Sequence, residues 1–181
     1  MYMSHWIEVS KANRQARRMA DRHYSYWRHH NRPMSNEVGP PGQKIILLTE
    51  NGDAVWGSHR PHPDANIERA DGLSGMFCFI YRNEGYPVSS SVLIREAVGL
   101  TAARWGVDTF WTYVATDQIA SEIPGYCFRR AGFRRDKSYH SNRLPLGPMI
   151  RLYMSPERVL RCLNELEQTR LICAASSTTN L

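Results

Sequence analysis

The segment from His23 to His30, HYSYWRHH, crowds imidazoles, phenols, an indole and Arg28 into eight residues. An imidazole beside a phenol, as in His23-Tyr24, suits proton transfer near neutral pH, ligation of a transition metal, or stacking against a flat ring. The plainer account is that the aromatic rings pack over the edge of a core. A second concentration of chemistry runs from Tyr126 to Tyr139, where Arg129, Arg130, Arg134, Arg135 and Lys137 are interleaved with Phe133 and Tyr139. Guanidinium groups among aromatic rings are suited to a phosphate backbone with bases stacked on the rings, and equally to the phosphates of a coenzyme or to a solvated turn.

Between these clusters lie a carboxylate and a row of hydroxyls. Asp117 follows the apolar run TFWTYV. It therefore stands at the carboxyl end of an expected strand, where ligands bind in α/β sheets, and is a candidate general base or metal ligand. An Asp that caps a turn is the competing account. Tyr126 is a candidate general acid, with Arg129 and Arg130 near enough to favour its phenolate. Cys127 has apolar neighbours and reads as a buried thiol more than a nucleophile. Ser89, Ser90 and Ser91 open a helix, with Arg95 just inside, and a helix start rich in hydroxyls and free amides is an anion site as well as a cap.

These groups must be positioned by elements that the sequence outlines. Glu8 to Arg22 has the spacing of a helix with a weak apolar face. A long loop rich in Pro, Gly and Asn follows. Lys44–Thr49, Asn51-Gly52 and Ala54–His59 form a hairpin, because Asn-Gly between apolar runs adopts the tight turn that joins twisted strands. Met76–Arg82, MFCFIYR, reads as a buried strand, and Ser90 or Ser91 as the cap of a helix that Gly106 ends. Thr109–Val114 is a strand, Tyr126–Ala131 a short helix closed by Gly132, and Met149–Met154 a last strand. Ser155-Pro156 starts a terminal helix to about Cys173. The fold class is α/β, a mixed sheet flanked by helices, in a single domain spanning 1–181. Residues 1–43 hold the first helix and a functional loop, and 174–181 form a frayed tail.

The chain has 181 residues, 42% of them hydrophobic, and a formal net charge of +6 carried mostly by arginine. That composition supports one self-sufficient core and a phosphate-bearing partner, a phosphorylated cofactor or nucleic acid. The four cysteines, Cys78, Cys127, Cys162 and Cys173, lack zinc-ligand spacing and read as free thiols. No apolar run has the length of a membrane span or a signal peptide, so a cytoplasmic location is expected.

The stretch VATDQIASEIPGYCFRRAGF, preceded by the strand–helix–strand from MFCFIYR to TFWTYV, resembles the core of the GNAT acyltransferases over roughly residues 40–155. The resemblance implies a GNAT-like fold and a helix whose N-terminus, around Ser89, Ser90, Ser91 and Arg95, faces the pyrophosphate of acetyl-CoA or another acyl donor. Two features depart from that family. The Arg/Gln-x-x-Gly-x-Gly/Ala pattern is absent, and Phe128 stands where a tyrosine usually protonates the leaving thiolate. Together with Arg22-His23-Tyr24-Ser25, these departures are similar to the Mom-type DNA modification proteins of bacteriophages. That likeness implies modification of adenine N6 in DNA, protection from restriction, His23, Tyr24, Asp117 and Tyr126 at the site, DNA as partner, and iron held by His23 and Asp117. The alternatives are an acetyl-CoA-dependent N-acetyltransferase of a small amine, a protein or an aminoacyl-tRNA, and a GNAT-shaped binding module without chemistry.

Overall fold

The computed structural model describes residues 4–24, 37–60, 72–119, 122–139 and 147–178. Seven strands form one sheet: β1 (Ile7–Val9), β2 (Gln43–Leu48), β3 (Ala54–Arg60), β4 (Met76–Asn83), β5 (Phe110–Ala115), β6 (Arg134–Arg135) and β7 (Met149–Met154). Their order is β1-β2-β3-β4-β5-β7-β6. Only β4 and β5 run parallel; the other neighbours are antiparallel. The parallel pair is joined by the helix the serines open, α2 (Ser90–Trp105), with α1 (Arg14–Asp21) before β2, α3 (Tyr126–Ala131) after β5, and α4 (Pro156–Thr178) last.

Two apolar layers hold the sheet. Trp56, Phe110, Leu152 and Met154 face α2, α3 and α4, meeting Leu93, Ala97, Phe128, Val159 and Cys162 in one cluster. On the opposite face Ile46, Leu48, Val55 and Ile80 meet Ala16, Met19 and Ala20 of α1. Gly99 sets the closeness of α2 to α4, since a Cβ there would stand 2.7 Å from the carbonyl oxygen of Cys162. No disulfide joins Cys78, Cys127, Cys162 or Cys173. Among the described residues no helix is long and apolar enough to cross a membrane.

Most expected elements stand where the pattern places them, including the Asn51-Gly52 hairpin, the short helix ended by Gly132 (φ 112°) and the strand Met149–Met154. Several boundaries differ by a residue or two, and some features differ more. The helix expected from Glu8 starts at Arg14, because Ile7–Val9 pairs with Ile46–Leu48 and the side chain of Asn13 accepts from the amides of Gln15 and Ala16. The cap of α2 is Ser89, not Ser90 or Ser91. Phe110 rather than Thr109 begins β5, as the carbonyl of Thr109 accepts from the amide of Met76. Arg134–Arg135, not expected as a strand, pairs with Leu152–Tyr153. Residues expected to fray after Cys173 continue α4 to Thr178, consistent with the helix-forming Ala174 and Ala175.

Candidate active site

The parallel pairing of β4 and β5 lasts three residues, Met76–Cys78 against Phe110–Thr112. Thr112 Oγ1 donates to the carbonyl of Cys78 at 3.1 Å. Beyond that point β4 stays with β3 as far as Asn83 while β5 stays with β7 as far as Ala115, so the two strands separate. A bulge sharpens the separation. Gly57 pairs with Ile80 and Ser58 with Cys78, which leaves Phe79 as an extra residue in β4. The sequence accommodates it because Gly57 has no side chain: a Cβ there would lie 2.4 Å from the Phe79 ring.

The gap is a cavity of about 320 Å³. Phe79, Ile80 and Tyr81 form one wall, Thr112, Tyr113 and Val114 the other, and Gly125 to Phe128 of the α3 turn close a third side. His23, Tyr24, Ile119 and Ile123 complete the lining, and no Asp, Glu, Lys or Arg is among the described residues that line it. The wall is therefore aromatic, uncharged and supplied with phenols.

His23 and Tyr24 reach the cavity because α1 ends against β4. The amide of His23 donates to the carbonyl of Ala20, and the ring centroids of His23 and Tyr24 are 4.3 Å apart. Glu84 fixes the junction: Arg22 donates to both of its carboxylate oxygens, Arg82 Nε donates to Oε1, and Arg82 Nη1 donates to the carbonyl of Arg22. Burial, then the nearby charge of Arg82, holds His23 down to about 4, so its imidazole is neutral at physiological pH. It is a weak base there and a good stacking or hydrogen-bonding group. The amide of Ala115 donates to Tyr24 Oη at 3.4 Å, which ties the phenol to the end of β5.

The other expected residues are distributed around this core. Tyr126, at the start of α3, lines the cavity and is 53% exposed. Phe128 is buried beneath it, edge to face with Tyr81 and Phe133. Burial raises the thiol of Cys127, which removes the basis for a nucleophile there. Asp117 is exposed, outside the cavity wall but between Val114 and Ile119, which line it. Its carboxylate accepts from Gln118 Nε2 and abuts Gly147, where a Cβ would stand 2.6 Å from Oδ2.

Iron was expected on His23 and Asp117. Among the described residues no group of three or more His, Cys, Asp or Glu is placed to share an ion, and Asp117 does not join His23 in the cavity wall. The residues present do not fit that metal site. Ser89, Ser90 and Ser91 stand at the N-terminus of α2, where Ser89 makes no side-chain capping bond. Arg95 turns instead to Glu165 of α4, 3.5 Å away. Arg129, Arg130, Arg134 and Arg135 are all exposed, and Arg28 lies outside the described residues.

No family model and no curated protein matches the sequence. A chimera of the Vibrio cholerae spermidine N-acetyltransferase SpeG and hSSAT superposes with a TM-score of 0.51 at 11% identity, over 87% of this chain and 99% of that one. The fold is that of the GNAT acetyltransferases. A second GNAT-fold structure, spermidine/spermine N-acetyltransferase SpeG from Vibrio cholerae in complex with manganese ions, aligns with a TM-score of 0.49 at 8% identity, covering 86% of this chain and 94% of that one. Within the GNAT fold as this chain builds it, sequence reasoning missed Phe79, Tyr81, Arg82 and Glu84. The one available signal was Gly57, a glycine inside a strand pattern, which marks a bulge or a close approach.

Proposed function

We propose that this chain is an N-acyltransferase that carries an acyl group from a thioester donor to the exocyclic amine of a nucleobase, adenine N6 in DNA. The observation that carries the reading is the aromatic, uncharged wall where β4 and β5 part. A flat heterocycle gains stacking area from such a wall, whereas a polycation such as spermidine needs carboxylates to offset its desolvation. Extruding a base from a duplex costs a few kcal/mol, which rings on both sides of the cavity offset. The exposed Arg129, Arg130, Arg134 and Arg135 and the net charge of +6 suit a phosphate backbone near the site.

In this reading the amine nitrogen attacks the thioester carbonyl carbon, the carbon–sulfur bond breaks, and the nitrogen sheds a proton. Asp117 and Tyr126 serve that acceptor-side proton transfer, while neutral His23 and Tyr24 hold the ring. Acetyl-CoA is the reference donor, with the open first-turn amides near Ser89, Ser90 and Ser91 facing its phosphates. The product is a modified base that restriction enzymes no longer recognise. Acetylation of a small amine is the second reading, and it draws support from the likeness to spermidine N-acetyltransferases.

The test is to co-express the protein with a plasmid, digest the DNA to nucleosides and weigh them. A heavier deoxyadenosine that disappears with Asp117→Asn, in a variant that keeps its fold by circular dichroism, supports the DNA reading. Unaltered nucleosides together with acetylation of polyamines by the purified protein would replace it with the second.

A further inference from the structure

Strand register carries one row of side chains across most of the sheet. His59 of β3 is opposite Phe77 of β4, Phe77 opposite Trp111 of β5, Trp111 opposite Tyr153 of β7, and Tyr153 opposite Arg134 of β6. Residues directly opposite on neighbouring strands project from the same face. That face is the one on which α1 packs, since Lys44 is opposite His59 and stands two residues before Ile46, which meets α1. Among the described residues, the apolar cluster that α1 forms there takes in Ile46, Leu48, Val55 and Ile80 and no member of the row. His59, Phe77, Trp111 and Tyr153 are partly exposed, and Arg134 is exposed.

The row is continuous with the cavity. Tyr113 lines the cavity, and its ring centroid is 5.7 Å from that of Phe77 and 5.3 Å from that of Tyr139. The rings of Trp111 and Tyr153 are 5.6 Å apart. Trp111 is fixed by its indole Nε1, which donates to the carbonyl of Ser74 at 2.8 Å. The guanidinium of Arg151 lies over the same ring, 5.3 Å from its centroid, and over the ring of Tyr139 at 4.8 Å. Asp136 holds that guanidinium: its Oδ2 accepts from Arg151 Nε at 2.9 Å and from Nη2 at 2.6 Å. The carboxylate of this corner is thereby neutralised, while Arg134, Arg135 and Lys137 around it are exposed.

We propose that this sheet face holds a single-stranded stretch of nucleic acid, with bases stacked on Phe77, Trp111 and Tyr153 and a phosphate at Arg134. The placement of the target base rests on the nucleobase reading above: that base enters between β4 and β5, and its neighbours in the strand lie along the row. Two properties select this occupant. Aromatic rings accept any base through its π-face, and a cationic rim accepts the phosphates between them. A protein segment that extended an apolar core would be met by aliphatic side chains, and the row contains none. From Phe77 to Arg134 the row crosses three strand spacings, roughly 14 Å. On that scale a sheet stacks about two or three bases. The face does no chemistry; it sets which part of a strand is presented to the cavity.

The test is fluorescence anisotropy of the full chain with two fluorescein-labelled probes of about 12 nucleotides, an oligothymidylate and an abasic strand with the same phosphates. Wild type is expected to bind the thymidylate more tightly. Trp111→Leu, which stays apolar without a flat ring, is expected to lose about 5- to 150-fold on the thymidylate and nothing on the abasic probe. Tyr153→Leu is expected to act in the same way, and Trp111→Tyr to keep most of the affinity. Arg134→Ser weakens both probes alike and lowers the slope of log affinity against log salt by about 0.7. Wild type that binds both probes equally, or leucine variants that bind the thymidylate as wild type does, overturn the proposal. So does a dimer in sedimentation that Trp111→Leu dissociates while oligonucleotide affinity stays unchanged, since the face would then pair two copies. Neither probe contains adenine, so failure of the modification reading shows separately. Unaltered nucleosides beside thymidylate binding that depends on Trp111 would remove the chemistry and uphold the face.

Discussion

Thr112 and Cys78 are the last residues that bind β4 to β5, through the hydrogen bond from Thr112 Oγ1 to the Cys78 carbonyl. Both side chains are buried, and the other β4 and β5 residues that line the cavity lie beyond them. Thr112→Val keeps the shape and removes the donor. The expected loss is ~1–3 kcal/mol in urea unfolding, because the carbonyl loses its hydroxyl partner in a dry interior. A change below a few tenths of a kcal/mol would show that the strands are held together by the backbone ladder alone.

Gly57→Ala tests the bulge. A methyl group there would meet the Phe79 ring at 2.4 Å and Ile80 Cγ2 at 2.7 Å. Overpacking of this kind costs ~1–3 kcal/mol, and relief comes by moving Phe79, which lines the cavity. Stability by denaturant titration and activity on the preferred acceptor are expected to fall together. Full activity in a destabilised variant would separate the bulge from the site.

His23 gives a pH signature. Its folded value is depressed to about 4 from an ordinary 6.5, chiefly by burial. The unfolded chain therefore takes up a proton at this position before the folded chain does. The stability contribution is complete above about pH 6.5 and is lost as pH falls towards 4, roughly 3 kcal/mol in all. His23→Phe is expected to flatten unfolding free energy across that window, and an NMR titration of the imidazole to give a midpoint near 4. A midpoint near 6.5 would mean that the ring is solvated.

Glu84 acts on a lower window. The hydrogen bond from Arg22 comes first among the groups that hold its carboxylate down to about 2. Stability from this junction is present above about 4.5 and is lost as pH falls through about 2. Glu84→Gln is expected to remove that acid-limb dependence and to raise the rate of amide exchange at Arg22–Tyr24. Unchanged exchange would show that the segment is seated by His23 and Tyr24 themselves.

Local signals made much of this legible. Asn51-Gly52 between apolar runs, and Gly132 after YCFRRA, each specify a conformation that few other residues adopt, and both elements stand where expected. What the sequence concealed depends on distant partners. Ile7–Val9 becomes a strand only because β2 lies beside it, and Arg95 meets Glu165 from another helix. The bulge at Phe79 breaks the alternation of MFCFIYR through a glycine on a different strand. That displacement places Tyr81 in the cavity wall, and no reading of its neighbours in sequence predicts it. Asp117 and Tyr126 were legible as loop and helix-start residues, but that Tyr126 joins the aromatic wall while Asp117 stands outside it was not.

The two outer strands of the sheet are its shortest. β1 has three residues, and β6 at the opposite side has two, both exposed arginines. An open strand is a template on which another chain can extend the sheet, and short length and positive charge are the usual defences. Two exposed arginines on a two-residue edge strand have the form of that defence. Exchanging Arg134 and Arg135 for valine is expected to increase light scattering on storage relative to wild type.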